Sequence, residues 1–495
     1  MRTKSPLLIF ISYLIIVSFV SSVYAQEYRV ESDLLGEVKV PSDAYYGVQT
    51  VRALENFPIS GTPNYTYPDY IKAWAIVKLA AARANTEAGK MKPETLKGIE
   101  QACKAIMDGE YHDQFVVDMY QGGAGTSTNM NANEVLANIA LEKMGHKKAQ
   151  YDIVAPNDHL NMSQSTNDTY PSALKIAMIL QNDKLEAEIK AMAKSFRTLG
   201  NKYIDIVKMG RTELQDAVPM TVGQEFHGYA AALEWELANL ASAEKSLYVM
   251  NMGATAIGTG LNTPEGYAEN CVKHMTELME KEIVLANDLI AATWNLQSFV
   301  IYSSALKTLA TTLSKIANDL IILSSGPRNG LFEINLPARQ PGSSIMPGKV
   351  NPVMPELLAL VSYRVIGNDV TVSFAAADGD LQLNAYEPIV AVAIFESQKI
   401  LTNTIRTVRE FCIDGITINE DVHARNLETT IGIVTALNPV IGYKKATELA
   451  KEALKSGKGI LELVREKKIL TKKQIEEILS PENMTNLDKS KYENK

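Results

Sequence analysis

Five long segments in the middle of the chain carry apolar residues at helical spacing and contain no proline. They are residues 174–203, 222–249, 288–323, 357–377 and 389–411. Each is longer than the average helix of a globular protein, which has about 11–12 residues. At a rise of ~1.5 Å per residue, the longest would span roughly 50 Å. The sequence therefore predicts a bundle of long helices at the centre of the protein.

Helices of this length and apolarity would not be fully covered within a single copy of the chain. Residues 305–317 also carry a run of Ala, Ser and Thr, which is typical of close helix–helix contact. A bundle that continues across subunits would bury the remaining apolar faces, and most soluble oligomers are symmetric assemblies of one chain. We therefore expect a homo-oligomer.

The first residues have the pattern of a secretory signal peptide. Arg2 and Lys4 supply a basic start, and residues 7–20 form a short apolar run. Val23 and Ala25 fit the small-residue positions before a cleavage site, so we expect cleavage after Ala25 and export, to the periplasm if the source has two membranes. An uncleaved membrane anchor is the alternative, because the run is marginal for spanning a bilayer. We expect no later apolar run of this kind, so no membrane contact is predicted after cleavage.

The composition argues against several classes of protein. A net charge of −8 without a basic block argues against a nucleic-acid partner. The three cysteines, Cys103, Cys271 and Cys412, are widely spaced, and the six histidines lack the spacing of metal ligands on a helix. The sequence has no Gly-rich dinucleotide motif after a strand and no Walker motif. We therefore expect neither a metal nor another cofactor.

Four loop segments concentrate hydroxyl and amide groups at the ends of predicted helices. They are residues 125–131, 163–168, 210–216 and 342–352. Helix N-termini with such side chains stabilise bound carboxylates. Helix capping is the alternative for each loop taken alone, since Ser, Thr, Asn and Asp are the preferred caps. Four such loops in a chain with few histidines and cysteines favour a site for an anionic substrate.

The loop at residues 342–352, Gly-Ser-Ser-Ile-Met-Pro-Gly-Lys-Val-Asn-Pro, is the most specific of the four. Gly342 and Gly348 allow a mobile backbone that approaches a ligand closely. The whole undecapeptide resembles the signature of the fumarase/aspartase superfamily.

Four further blocks resemble the same superfamily, in the order that they have there: residues 125–131, 165–168, 210–226 and 253–262. The resemblance extends over essentially the full chain after the signal. Within the superfamily the chain is most similar to the aspartate ammonia-lyases, and three stretches carry this likeness: residues 215–220, 253–262 and 324–328.

This resemblance implies an all-α fold in three parts and a homotetramer in which each site is built from several subunits. After the signal peptide at residues 1–25, which its own pattern predicts, the implied divisions are an N-terminal domain at 26–165, a central long-helix bundle at 166–420 and a small C-terminal helical domain at 421–495. The implied reaction is the reversible removal of ammonia from L-aspartate to give fumarate, so the expected partners are these small molecules and further copies of the chain.

The resemblance also implies a role for each site residue. Ser343 would be the general base that removes the proton next to the substrate's β-carboxylate. The binding residues are divided by the substrate group that they would hold: Thr212, Lys349 and Asn351 for the α-carboxylate, Thr126, Ser165, Thr166 and Ser344 for the β-carboxylate, and Asn167 for the amino group.

The chemistry suits these residue types. Removing a proton next to a carboxylate produces a dianionic enediolate, which a ring of hydroxyl and N–H donors can stabilise without a metal. A serine hydroxyl is a poor base, so nearby backbone N–H groups and the Lys349 cation must favour its deprotonated form. No hydride or acyl group moves in the elimination of ammonia.

One position departs from part of the superfamily. Fumarases and some aspartases have His where this chain has Glu213, which counts against the addition of water to fumarate. A carboxylate there could accept a hydrogen bond from the substrate ammonium. The alternative is that Glu213 lies at a helix end or pairs with a Lys or Arg. A fumarate hydratase, a lyase for a related amino diacid and an exported relative without catalysis remain the alternative functions.

Overall fold

A computed structural model describes residues 26–485 and 487–492 of the chain. The predicted signal peptide at residues 1–25 lies outside the described residues. Helix accounts for 62% of the structure and the strands are few and short, so the all-α prediction is confirmed.

Within the described residues, the chain forms the α-helices α1 (Val48–Asn56), α2 (Pro68–Glu87), α3 (Pro93–Met107), α4 (Thr126–Lys143), α5 (Thr166–Lys202), α6 (Val222–Glu244), α7 (Tyr267–Met279), α8 (Leu289–Trp294), α9 (Gln297–Leu323), α10 (Val353–Ala377), α11 (Glu387–Phe411), α12 (Glu420–Thr429), α13 (Val434–Ile441), α14 (Tyr443–Ser456), α15 (Ile460–Glu466), α16 (Lys472–Ile478) and α17 (Pro481–Thr485).

The strands form two-stranded sheets. Three pairs are antiparallel and one is parallel: β1 (Tyr28–Asp33) with β2 (Gly36–Pro41), β3 (Val207–Thr212) with β4 (Gln215–Thr221), β7 (Ile334–Asn335) with β8 (Thr417–Ile418), and, in parallel, β5 (Val249–Met250) with β6 (Val284–Leu285).

Five long helices form the central bundle, as the sequence predicts. Helix α5 packs against α6 and α11, α10 packs against α9 and α11, and α9 returns to α6, so the packing closes into a ring. The apolar residues of each helix that face the ring are buried, among them Leu306, Leu309 and Leu313 on α9. The hydrophobic core extends without interruption from this ring to α2, α3 and α4.

Helix α5 is longer than the sequence predicts. It begins at Thr166 instead of residue 174 and runs for 37 residues, with Pro171 inside it. Proline has no N–H, so it cannot donate to the carbonyl of Asn167 one turn earlier. The side-chain Nδ2 of Asn251 donates to that carbonyl at 3.0 Å instead. A residue distant in sequence therefore allows the helix to continue through the proline.

The predicted helix over residues 288–323 is two helices, α8 and α9. The backbone of Asn295 is extended, which ends α8. The side-chain Oδ1 of Asn295 accepts a hydrogen bond from the Gln297 N–H at 2.8 Å, which satisfies one of the free donors at the start of α9. The prediction of one continuous helix is wrong at this point because a local side-chain hydrogen bond competes with the helical one.

Helix α10 leaves one apolar face uncovered. Leu360, Tyr363, Val370 and Phe374 are exposed by 65%, 56%, 51% and 74%, and their spacing places them along one side of the helix. We call these four residues the α10 stripe. A row of large apolar side chains of this kind marks an interaction surface.

Helix α10 is also the one helix of the described residues that is long and apolar enough to cross a membrane, judged by length and composition alone. The expectation that no such run follows residue 25 is therefore wrong. The run is hard to see in the sequence because Arg364, Asn368 and Asp369 interrupt it. In the structure the opposite face of α10 packs against α9 and α11, as in a bundle helix.

A second hydrophobic core lies near the C-terminus. It is built from residues such as Leu437, Leu449, Ile460 and Leu463, which are fully or almost fully buried. Val207, at the start of β3, packs against it, so the β3–β4 hairpin lies between the bundle and this core. The division of the chain at residues 165 and 420 stays a prediction.

Candidate active site

Three of the sequence blocks meet at the N-termini of α4 and α5. The carboxylate of Asp168 is completely buried and accepts hydrogen bonds from the N–H groups of Ser165 (3.0 Å), Gly253 (3.2 Å) and Thr255 (2.9 Å). Asn129, one turn into α4, donates to the hydroxyl of Thr166 at 3.0 Å. Blocks that are far apart in sequence thus form one polar centre.

We call the hydroxyl and amide side chains at this centre, Thr126, Ser165, Thr166 and Asn167, the donor cluster. The Thr126 hydroxyl is exposed and donates to the Gly123 carbonyl at 2.8 Å. Ser165 caps α5, since its hydroxyl accepts from the Asn167 N–H at 3.2 Å in a capping box with Asp168. The capping interpretation is therefore correct for Ser165, and it fixes where the hydroxyl lies.

The block at residues 253–262 holds the side chain of Asn167 in place. Its Nδ2 donates to the Ala256 carbonyl at 2.7 Å, and its Oδ1 accepts no hydrogen bond within the described part of the chain. The side chain is therefore oriented with an acceptor available for a donor such as an ammonium group.

Lys78 lies beneath the donor cluster, and sequence pattern alone did not reveal it. The residue is 1% exposed, and its ammonium group donates to the side-chain oxygens of Asn129 (2.7 Å), Gln164 (2.9 Å) and Asn161 (3.2 Å). Three acceptors match the three N–H groups of a charged lysine. The signal in the sequence is a single lysine in an otherwise apolar helical run.

Burial acts on Lys78 and Asp168 in opposite directions. Burial lowers the pKa of the Lys78 ammonium and raises the pKa of the Asp168 carboxyl, while the attraction between the two charges opposes both shifts. The hydrogen bonds on each group are those that its charged form makes. The centre therefore holds a buried pair of opposite charges, and it is the two helix N-termini beside this pair that favour an anion there.

Hydrogen bonds join the two ends of the loop at residues 342–352. The Gly342 N–H donates to the Lys349 carbonyl at 2.7 Å, and Asn351 Nδ2 donates to the Gly342 carbonyl at 2.9 Å. A Cβ on Gly342 would lie 2.7 Å from the Asn351 nitrogen, so only glycine fits. One of the two N–H groups of Asn351 Nδ2 is used between the two ends of the loop, so the other remains available to a substrate carboxylate.

Within the loop, the Ser343 hydroxyl oxygen accepts hydrogen bonds from the N–H groups of Ile345 at 3.1 Å and Met346 at 3.0 Å. Two such donors stabilise negative charge on the oxygen. Ser344 and Lys349 are exposed. Ser343 and Lys349 both line an open cleft of about 460 Å³.

Residues 210–216 are not at a helix N-terminus, so that expectation is wrong. They belong to the β3–β4 hairpin, whose two-residue turn is Glu213 and Leu214. Both turn residues have positive φ, 53° and 63°, the conformation that a hairpin turn of this length favours. The turn was hidden in the sequence because neither residue is the usual Asn or Gly.

The hairpin turn presents its polar side chains to solvent. Thr212 and Glu213 are exposed, and Glu213 forms no hydrogen bond or ion pair with any described residue. Neither of the alternatives expected for Glu213, a helix end or a Lys/Arg partner, is therefore found among the described residues.

The predicted site residues form three groups in one chain. The donor cluster lies at the start of α4 and α5, Thr212 and Glu213 lie on the hairpin, and Ser343, Ser344, Lys349 and Asn351 lie in the loop before α10. Within residues 26–485 and 487–492, no hydrogen bond or ion pair connects one group to another. The three groups are therefore not joined by direct polar contacts within the described part of one chain.

The acidic, histidine and cysteine side chains are dispersed through the fold. In the described part of the chain, no group of three His, Cys, Asp or Glu side chains is placed to hold a metal ion. All three cysteines are buried and unpaired.

Comparison with known proteins decides the family. A family model described as Lyase matches residues 36–367, and one described as Fumarase C C-terminus matches residues 433–486. The chain belongs to the fumarase/aspartase superfamily. All five blocks that carried the resemblance lie within the range that the superfamily's Lyase model matches.

Individual members of the superfamily are similar to the chain over nearly its whole length. The aspartate ammonia-lyase of Pseudomonas aeruginosa is 51% identical over 92% of this chain and 96% of that protein. That of Helicobacter pylori is 50% identical over 92% of this chain and 97% of that protein. A solved structure, described as fumarate lyase:delta crystallin from Brucella melitensis, has a TM-score of 0.89 and 45% identity, with 92% of this chain and 99% of that chain covered.

Replacing Lys78 tests its place beneath the donor cluster. Lys78→Met leaves three amide oxygens and the Asp168 carboxylate without their cation, so the free energy of unfolding should fall by about 3–5 kcal/mol. Urea denaturation measures the change. Lys72→Met, on the same helix but partly exposed, is the control and should change it by less than about 0.5 kcal/mol. Equal effects of the two substitutions would contradict the assignment.

Proposed function

We propose that this chain is an aspartate ammonia-lyase, a carbon–nitrogen lyase that converts L-aspartate reversibly to fumarate and ammonia. Support comes from relatives of that name that match 92% of the chain at 50–51% identity. The observation that carries the chemistry is the Ser343 hydroxyl, which accepts two backbone N–H groups in the same loop as Lys349.

Ser343 is the proposed general base. The two N–H donors favour its alkoxide, and the Lys349 ammonium adds to this once the loop closes over the substrate and expels water. The alkoxide takes the proton from the carbon next to the β-carboxylate. The electron pair of that C–H bond moves into the carboxylate, which becomes an enediolate.

The donor cluster and Ser344 hold the β-carboxylate in this proposal. The hydroxyls of Thr126, Ser165 and Thr166 lie at two helix N-termini, above the buried Lys78 cation. These groups are fixed before the reaction and interact most strongly when the carboxylate gains its second negative charge. They therefore lower the barrier more than they tighten substrate binding.

Ammonia then leaves from the face opposite the base, as the enediolate collapses to fumarate. The proposal assigns the substrate amino group to Asn167 Oδ1 and to the exposed carboxylate of Glu213, both of which can accept hydrogen bonds. Thr212, Lys349 and Asn351 hold the α-carboxylate. A carboxylate at position 213 suits an ammonium group better than the activation of water, which favours deamination over fumarate hydration.

We also propose that the chain acts as a homotetramer with sites built from several subunits. Two observations support this. The α10 stripe is an uncovered apolar face on a bundle helix, and the site residues of one chain lie in three unconnected groups. Packing α10 of one copy against another would bury the stripe and bring groups from different chains together.

Export of the mature protein remains our proposal as well. It is supported by the basic, apolar and small-residue regions of residues 1–25.

The activity is tested with L-aspartate, L-malate and a methylated aspartate, by following the absorbance of the unsaturated product. We expect product from L-aspartate, and a fall in turnover of roughly 100- to 10,000-fold in Ser343→Ala, as for loss of a general base. Ser456→Ala, exposed on α14, is the control and should keep full activity. Product from malate alone would rule the proposal out, and none from any substrate would favour a binding protein.

The tetramer is tested by light scattering on the double variant Tyr363→Lys/Phe374→Lys. The wild type should have four times the chain mass. The variant should form smaller species and lose turnover, because charges cannot be buried in an apolar interface without partners. Leu454→Lys changes an equally exposed leucine outside the stripe and should leave the assembly intact. A tetrameric double variant would disprove the role of the stripe.

Export is tested by expressing the full chain in a bacterium with two membranes. We expect soluble protein in the periplasm whose first residue, found by mass spectrometry, is Gln26. Deletion of residues 7–20 should leave the protein in the cytoplasm. Full-length protein in the membrane fraction would instead support the anchor.

A further inference from the structure

A buried ion network lies between the hairpin and the segment that leads into the Ser343 loop. Glu333 is completely buried, and its Oε1 accepts from Arg211 Nη2 at 2.6 Å. Lys208 Nζ lies 3.0 Å from the other oxygen, Oε2, as an ion contact without hydrogen-bond geometry. Lys208 also donates to both oxygens of Glu225, at 2.9 and 2.8 Å. Two cations and two carboxylates make the network neutral.

The charge of Glu333 is secured by its neighbours. Burial alone would raise its pKa, but the Lys208 and Arg211 cations outweigh burial and hold the pKa below its ordinary value. Among the described residues, Glu333 is the only carboxylate that pairs with Arg211. The position of the Arg211 side chain therefore depends on Glu333.

The hairpin is shaped so that both cations reach Glu333. Strict alternation would put Lys208 and Arg211 on opposite faces of β3. The register shifts between Met209 and Arg211, and this irregularity turns the end of the strand. At the shift, a Cβ on Gly210 would lie 2.9 Å from the Val218 carbonyl, so the close approach requires glycine.

Thr212 follows Arg211 directly and faces the other way. Arg211 points inward to Glu333, whereas Thr212 is exposed at the end of the hairpin. Successive side chains of a strand point to opposite faces, so fixing one of them fixes the direction of the next. The Arg211–Glu333 pair therefore fixes the face of the hairpin from which the Thr212 side chain projects.

Glu333 is itself held firmly. Its N–H donates to the Leu323 carbonyl at 2.9 Å, and its carbonyl accepts from the Asn419 N–H at 3.0 Å. The next residues, Ile334–Asn335, pair with β8. Glu333 is thus anchored to the end of α9 and to the start of α12, which makes it a fixed point for the hairpin.

We propose that Glu333 is a positioning residue that holds Thr212, through Arg211, in place for the substrate's α-carboxylate. This inference rests on the proposed function only in that Thr212 binds a substrate carboxylate. Glu333 touches no substrate. It acts on binding because a donor that points in the wrong direction loses its hydrogen bond to the carboxylate.

The test compares Glu333→Gln with Glu225→Gln in the full chain. Glu333→Gln removes the charge that holds Arg211, so the KM for L-aspartate should rise about 10- to 100-fold while kcat changes little, since the lost contact serves ground state and transition state alike. Glu225→Gln removes a carboxylate from Lys208 but not from Arg211, and its KM should stay within about twofold.

If Glu333 had a purely structural role, its replacement would change kcat and not KM. Loss of folded protein would lower the apparent kcat and leave KM unchanged, which would overturn the proposal, as would an equal rise in KM in Glu225→Gln. The double variant Thr212→Ala/Glu333→Gln should have a KM no higher than the larger single effect, because both changes remove the same contact. Multiplication of the two effects would also overturn it.

Two further measurements separate the possible failures. If Glu333→Gln does not fold, Arg211→Gln replaces it in the test. This variant leaves Glu333 paired with Lys208 and should raise KM by the same factor; an unchanged KM overturns the proposal.

If the wild type does not turn over L-aspartate, the proposed function fails, and equilibrium binding of fumarate to the same variants tests the positioning. Weaker binding by about tenfold in Glu333→Gln supports it, and equal binding, or none by the wild type, overturns it.

Discussion

The buried carboxylate of Asp168 is the interaction on which the donor cluster depends. It caps the first turn of α5 through Ser165, and it also holds the Gly253 and Thr255 N–H groups of a distant turn. Lys78 balances its charge from below through a set of amide oxygens. A carboxylate in this position would be costly to bury alone, so the cation, the helix N-terminus and the turn stabilise one another.

The long helices of one chain do not bury all of their apolar surface against one another. Their ring of contacts buries one side of each helix, while α10 keeps an apolar stripe on the outside. The same arrangement carries the donor cluster, the hairpin and the Ser343 loop at separate places. The proposed homotetramer depends on the first of these features, because the α10 stripe is the apolar face that another copy of the chain would cover.

Much of this architecture could be predicted from local pattern. The five long helical segments, the scarcity of strands and the loop at residues 342–352 follow from apolar periodicity and from a distinctive run of small residues. The errors arose where a distant or local hydrogen bond competes with that periodicity. Asn251 lets α5 pass through Pro171, and Asn295 ends α8 within an apolar run. The hairpin turn at Glu213 and Leu214 has positive φ at both residues but contains no glycine or asparagine, so the sequence contains no turn signal there.

The sequence by itself determined the helical class, because apolar periodicity depends only on local residues. It also determined the family and the residue types of the candidate site, because these lie in contiguous sequence blocks. Only the tertiary structure decided which side chains support them. In the sequence, Lys78 is only a lysine in an apolar helical run, and Glu333 is a glutamate in a loop region. The fold buries each of them against partners that are far away in the chain. The energy of a buried charge depends on those partners and not on its neighbours in sequence.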